Sequence, residues 1–250
     1  MFKDDFKPNY DSHYKKYANK TFDWLSIDSK EAYEKNLKEK YQLLKANNWI
    51  DKSFTYKFNS HAFRCEEFTD DPTIMFLGCS NTCGIGLPVE SIWPELVAKK
   101  LNMRCANLGQ AGGSNDSSFR LCHGWIDIIK PKIVFLLSPP GIRLEILDAV
   151  VMKHLTPTWI HNKATHYKDF LKDWCRDDNN NYFNTLKNSL AIENLCNARN
   201  IKYIFLDSDD FAQVQTDLSN AQGYLDLARD LGHRGVSSHK IFSEQVLANL

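Results

Sequence analysis

Between residues 73 and 249 the chain alternates short, continuously apolar runs with stretches of helical character. Thr73-Ile-Met-Phe-Leu77 shows no polar alternation and ends in Gly-Cys-Ser-Asn, the pattern of a strand covered on both faces that runs into a loop. Met103–Leu108, which ends in Gly109-Gln-Ala-Gly-Gly113, Lys132–Leu137 and Tyr203–Leu206 are predicted as the second, third and fourth strands. Helices are predicted near 90–101 with Pro94 in the first turn, from a Ser114 or Asn115 cap to Lys130, near 182–199 and near 237–249. Pro131 interrupts the chain before the third strand, and Pro139-Pro140 stop that strand. Strand and helix in this alternation predict an α/β domain, a three-layer α/β/α sandwich on a mostly parallel sheet with right-handed crossovers. Ligands of such sheets sit beyond the carboxyl ends of the strands. Residues 141–180, with helical stretches, Pro157 and an Asp/Asn run at 177–181, give no clear period.

The first 70 residues have a different texture. Residues 1–28 mix Lys, Asp, Asn and Tyr and read as an irregular arm. Ser29 can cap a helix over 30–46, with Tyr33, Leu37, Tyr41 and Leu44 as its apolar stripe. Phe54, Tyr56 and Phe58 alternate with Thr55 and Lys57, which predicts a short half-buried strand. The expected organisation is an N-terminal extension over 1–70 packed on a main domain over 71–250. The composition, 43% hydrophobic and 25% charged, excludes disorder, collagen and coiled coil for the whole chain. Lys+Arg and Asp+Glu stand at 31 each, which argues against bulk electrostatic binding of nucleic acid or an anionic membrane. No apolar run approaches the roughly 20 residues that span a bilayer. The polar start does not read as a signal peptide. Seven cysteines, an odd number with no CxxC, read as reduced thiols, so a cytoplasmic setting is expected.

Three stretches carry residues suited to chemistry. Ser80 follows the first strand in Gly78-Cys-Ser-Asn, where Gly78 permits a tight turn that lifts the hydroxyl into the crevice. A Walker A loop would need a lysine that is missing, GxGxxG is absent, and Thr82 stands where GxSxG needs its second glycine. Asp230 and His233, three apart on a Gly-containing loop, can supply a base and the carboxylate that fixes its tautomer. In Asn107-Leu-Gly-Gln-Ala-Gly-Gly-Ser-Asn-Asp116, glycines at a strand end free backbone N–H groups to face a developing oxyanion, with Asn115 as a side-chain donor. Taken singly, each has a plainer reading as a loop serine, a surface pair or a helix cap. Their joint placement at strand ends of one sheet makes the chemical reading the stronger.

Over residues 73–250 the chain resembles the SGNH (GDSL-like) hydrolase superfamily, most specifically in Gly78-Cys-Ser80, Gly112 and Asp230-Leu-Gly-His233. The resemblance implies a flavodoxin-like sheet, Ser80 as nucleophile, His233 as general base and Asp230 as its orienting partner. It also implies the Ser80 and Gly112 amides as oxyanion donors. Phe58-Asn-Ser-His-Ala-Phe-Arg64 is similar to a segment found ahead of the serine block in some bacterial and phage members. Two departures stand out. Cys79 replaces the Asp of the GDS pattern, and no Gly-x-Asn-Asp follows the third strand, where the sequence is Leu137-Ser-Pro-Pro-Gly-Ile-Arg143-Leu-Glu145. Asn115, in Gly113-Ser-Asn-Asp116, is the substitute candidate, and since losing one such donor costs about 10²–10³ in rate, a weakened or lost activity is the alternative expectation. Arg143 and Glu145 are candidates to grip a polar substrate or to pair with each other. His239 reads as a packing residue near the His233 loop, and Trp125, Trp159 and Trp174 as core, lid or sugar platform. The expected activity is hydrolysis of a small O-acyl ester, by analogy an O-acetyl group on a glycan, through an acyl-enzyme with no metal or organic cofactor. The competing expectations are a non-catalytic binding or structural domain and acyl transfer to a sugar hydroxyl.

Overall fold

A computed structural model of the chain describes residues 9–147, 152–161, 166–212 and 225–250. In the N-terminal part, β1 (Thr21–Phe22) pairs antiparallel with β2 (Tyr56–Lys57), and α1 (Lys30–Glu39) and α2 (Tyr41–Ala46) lie between them in sequence. The first eight residues of the expected arm fall outside the described residues. Ser29 caps α1 by accepting the Ala32 N–H at 3.1 Å. The single helix expected over 30–46 is broken at Lys40, which leaves helical geometry at φ −135° and ψ 33°. That break rotates Tyr41 out of the apolar stripe and leaves it exposed. Leu44, Trp49 and the flanking Tyr33 and Leu37 pack on Leu87, Leu227 and Leu231 of the main body.

The central sheet is built from β3 (Thr73–Leu77), then, after α3 (Ser80–Cys83) and α4 (Trp93–Lys100), β4 (Arg104–Asn107). After α5 (Asn115–Ile129) come β5 (Ile133–Leu137), the hairpin β6 (Leu144–Leu147) and β7 (Met152–Leu155), and the helices α6 (Lys168–Trp174) and α7 (Asp178–Asn197). The chain ends with β8 (Lys202–Leu206), α8 (Ser208–Ala212) and α9 (Val236–Ala248). The sheet runs β4-β3-β5-β8, parallel throughout, with Ile74 opposite Cys105 on one side and Ile133 on the other. The two-residue period of a strand divides the core. Met75, Leu77, Val134 and Leu136 pack on Leu121, Ile126, Ile129 and Ile192 of α5 and α7. Ile74, Phe76, Phe135 and Leu137 meet Trp93, Val97, Phe242 and Val246 of α4 and α9. Three layers result, as the alternation of strands and helices requires.

The order also places a topological switch point. The chain leaves β3 to one side for β4 and later returns to the other side for β5, so a crevice opens at the carboxyl end of β3, where Ser80 follows. The turn into Ser80 needs Gly78. Its φ is +151°, and a Cβ there would strike the Thr82 side chain and stand 2.8 Å from the Leu137 carbonyl oxygen. Gly78→Ala is therefore expected to lose about 1–3 kcal/mol of stability, from overpacking and backbone strain together. An unchanged urea midpoint would contradict this account of the turn.

The β6–β7 hairpin and α6 lie in the stretch where the sequence shows no period. No helix among the described residues is long and apolar enough to cross a membrane. All seven cysteines are unpaired.

Candidate active site

Ser80 is the first residue of α3, a single turn set directly behind β3. Asn107, at the end of β4, holds that turn against the neighbouring loop. Its Nδ2 donates to the Thr82 carbonyl at 2.8 Å, and its Oδ1 accepts the Gly109 N–H at 3.0 Å. The loop that follows consumes its amides one after another. The Gln110 N–H donates to Gly78 O, Ala111 N–H to the Tyr14 hydroxyl, Gly113 N–H to Gln110 O and Ser114 N–H to Ser117 Oγ. Among the described residues, the Gly112 N–H has no acceptor, and neither has the Ser80 N–H at the start of α3. Gly112 sits at φ +72°, a conformation that suits glycine, and a Cβ there would meet only His154 Cβ at 3.9 Å.

The loop before α9 carries the second cluster. His233 Nδ1 lies 2.6 Å from Asp230 Oδ2, and Asp230 Oδ1 accepts the Gly232 and His233 amides at 3.1 Å each. Burial pushes the Asp230 carboxyl up, but its bonds to the His233 ring and these amides outweigh it and hold it below the usual carboxylate range. Leu231 adopts φ +54° to bring the two side chains together. With Nδ1 committed, Nε2 is the ring nitrogen left to work on the groove. Ser80, Gly112 and His233 line one groove of about 630 Å³ together with His13, His154, Lys153 and Trp159. Ser80 Oγ and the His233 ring do not hydrogen-bond to each other among the described contacts. Such bonds are often long before substrate binds.

The Asp230–His233 loop is clamped by residues from the first 60 positions, a contact that sequence reasoning missed. Arg229, buried beside Asp230, forms a two-pronged ion pair with Asp28 (Nη2 to Oδ2 2.7 Å, Nε to Oδ1 3.0 Å) and lies 4.0 Å from the ring centres of Trp24 and Phe54. Its backbone N–H donates to Gly86 O, the Gly86 N–H donates to the Tyr56 hydroxyl at 2.7 Å, and that hydroxyl donates to Asp28. Trp49 Nε1 adds a bond to Leu227 O at 2.7 Å. Arg64, from the segment similar to one ahead of the serine block, is buried over the Tyr56 ring. Its guanidinium donates to the Cys83, Gly84 and Leu87 carbonyls at the far end of α3.

Several expected site residues lie elsewhere. Asn115 is fully buried, and both its N–H groups are engaged, to Pro139 O at 2.9 Å and Thr185 Oγ1 at 3.3 Å, while its Oδ1 accepts from Ser138. A carboxamide has two donors and both are used, so Asn115 fastens α5 to β5 and α7 and does not face the groove. Arg143 and Glu145 do not line the groove, nor do they pair with each other. The Glu145 side chain is 2% exposed and binds Arg120 through two bonds of 2.7 and 2.8 Å, and it also meets His154 Nε2 at 3.2 Å. His239 is a packing residue. Its Nδ1 accepts the Trp93 N–H at 3.1 Å, and burial first, then the nearby His233, Arg234 and Arg64, hold its pKa at about 3. Cys79 is buried away from the groove. Of the three tryptophans only Trp159 lines it; Trp125 packs edge-on against Phe63, and Trp174 bonds Ile142 O.

The Glu145 pair sets a pH dependence of stability. Burial pushes this carboxyl up, yet the hydrogen bonds from Arg120 and His154 and their charges overcome it and hold the pKa at about 2, against an ordinary 4.5. The unfolded chain therefore takes up the proton first as pH falls. The contribution is whole above about pH 4.5 and is lost on the way down to about pH 2, amounting to about 3 kcal/mol. Urea unfolding of the protein and of Glu145→Gln across pH 7 to 3 checks this. Equal pH slopes for the two would count against it.

No protein-family model matches the sequence, and no curated protein matches it. Solved structures do. A putative lipolytic protein of the G-D-S-L family from Desulfitobacterium hafniense is 13% identical, with 71% of this chain and 99% of that chain covered at a TM-score of 0.38. The psychrotrophic esterase EstA from Pseudoalteromonas sp. is 12% identical over 71% of this chain and 96% of that one, at 0.37. Axe2, an acetylxylan esterase from Geobacillus stearothermophilus, solved as a catalytic mutant, is 14% identical over 73% and 94%, at 0.36. The chain is similar to these hydrolases. Its architecture rests on its own strand order and register.

Proposed function

We propose that the protein is a serine ester hydrolase acting on a small O-acyl ester. Ser80 Oγ attacks the acyl carbonyl carbon while its proton passes to His233 Nε2, and Asp230 carries the opposing charge at Nδ1. The carbonyl oxygen, now an oxyanion, is met by the Ser80 and Gly112 amides. Collapse of the tetrahedral species breaks the ester C–O bond, and the departing alkoxide takes the proton from His233. Water then gives a proton to His233 and attacks the acyl-enzyme, and as that second tetrahedral species collapses His233 returns the proton to Ser80 Oγ and a carboxylic acid leaves.

The observation that carries this reading is the convergence in one groove of Ser80, an imidazole already oriented by a carboxylate, and the unused amide of Gly112. Trp159 on the groove wall suits the flat face of a sugar ring, which supports an O-acetyl group on a glycan as the substrate. One observation favours the rival reading, a binding domain that keeps the fold. Asn115 is locked elsewhere, so the hole has two amide donors and no side-chain donor from that position. Hydrolysis of p-nitrophenyl acetate by the protein and by Ser80→Ala decides between them. Turnover lost in the variant supports the hydrolase, and equal rates for both would remove it.

A further inference from the structure

The peptide unit between Ala111 and Gly112 has two ends with different fates. Its N–H, on Gly112, is without an acceptor among the described residues, whereas its carbonyl oxygen faces His154 Nδ1 at 3.4 Å. A trans peptide points its C=O and N–H in opposite directions, so whatever holds the oxygen aims the hydrogen. His154 is itself held. Its other nitrogen meets Glu145 Oε1 at 3.2 Å, Glu145 is gripped by both prongs of Arg120, and its ring stacks on His13 with centres 4.7 Å apart. Arg120 in turn donates to the Asn9 and Asp11 carbonyls. A carbonyl and a carboxylate can only accept, so each contact is a hydrogen bond where the ring nitrogen facing it carries hydrogen.

The geometry points to His154 as a positioning residue of the oxyanion hole: its Nδ1–H, fixed by the Arg120–Glu145 pair, pins the Ala111 carbonyl and so aims the Gly112 N–H into the groove. This rests on the hydrolase reading above and adds to it a relay that starts on α5, passes through the β6–β7 hairpin and ends at the donor. Hydrogen bonding at the carbonyl also polarises the peptide and strengthens its N–H as a donor. A relay of this kind supports a hole that lacks the side-chain donor expected from Asn115.

The test replaces His154 with Phe, which keeps a ring against His13 and has no donor, and with Asn, whose carboxamide nitrogen falls where Nδ1 stood. With p-nitrophenyl acetate, His154→Phe is expected to lose about tenfold in kcat at unchanged KM, since the donor is misaimed but not removed. His154→Asn is expected to recover most of that loss. Full kcat in the Phe variant, a loss that falls on KM instead, or an Asn variant no better than Phe would each overturn the inference. Turnover that depends on Ser80 but is indifferent to His154 sinks this inference alone, whereas absence of Ser80-dependent turnover sinks the hydrolase reading. A measurement on the unsubstituted protein is independent of both variant folding and activity: nitrogen NMR of the histidine rings at pH 7 should find hydrogen on His154 Nδ1. A bare Nδ1 there would end the proposal.

Discussion

Replacing Ser80 with alanine is expected to lower kcat for p-nitrophenyl acetate by about 10⁴–10⁶-fold, and His233→Ala by a similar factor. The two changes are not expected to multiply. In the proposed mechanism Ser80 supplies the attacking oxygen and His233 the place for its proton, so either loss would abolish the same step and the double variant should be no slower than the worse single one. A remnant of catalysis should survive all three, because in that mechanism the Ser80 and Gly112 amides would still favour an oxyanion over a neutral carbonyl. Multiplicative losses would mean that the two side chains act in separate steps, contrary to a relay through one proton. The measurement is steady-state turnover with the folded state of each variant confirmed by its urea transition.

The second large effect falls on stability. Asp28→Asn removes the carboxylate that faces the Arg229 guanidinium, with both side chains 2% exposed or less. An unpaired buried charge of this sort costs about 3–5 kcal/mol, far more than an exposed pair would. The loss should extend to activity, because Arg229 adjoins Asp230 and the bonds from Asp28 through Tyr56 and Gly86 close back on the Arg229 amide. Arg229→Met made in the Asp28→Asn background is expected to regain much of the stability, since it removes the stranded charge, and to leave kcat low, since the loop loses its brace. A loss below about 1 kcal/mol in Asp28→Asn would show that solvent reaches the pair and that the extension does not secure the loop.

Much of the sheet is legible in the amino-acid sequence. Thr73–Leu77 is a strand with the expected bounds, and the other three parallel strands fall within a residue or so of theirs. The central β3 and β5 are covered on both faces and so are apolar along almost all their length, whereas the edge strands differ, β4 keeping Arg104 and Asn107 and β8 being only half-buried. Ser114 as helix cap and Pro94 in a first turn follow from local hydrogen bonding and from a fixed φ, which need no tertiary contact. The β6–β7 hairpin was not legible. Two four-residue strands leave too little period to read, and β6 buries Glu145, a residue whose type argues for the surface. The break at Lys40 was equally hidden, since nothing in KEKYQ forbids a continuous helix.

The candidate site divides along the same line. Asp230 and His233 could be read as a pair because three residues of one loop suffice to bring them into contact. Asn115 was misread because its type advertises a donor while its neighbours consume it, and those neighbours, Pro139 and Thr185, come from different elements. Asp28 and Arg229 lie 201 residues apart, so their pairing exists only once the tertiary fold has brought the two segments together. The amino-acid order settles which residues have the chemistry for a strand, a cap, a nucleophile or a base, because those properties belong to a residue and its near neighbours. Which donors stay unspent and which charges meet depends on long-range packing, because a hydrogen bond or ion pair forms only where folding brings both partners within about 3 Å.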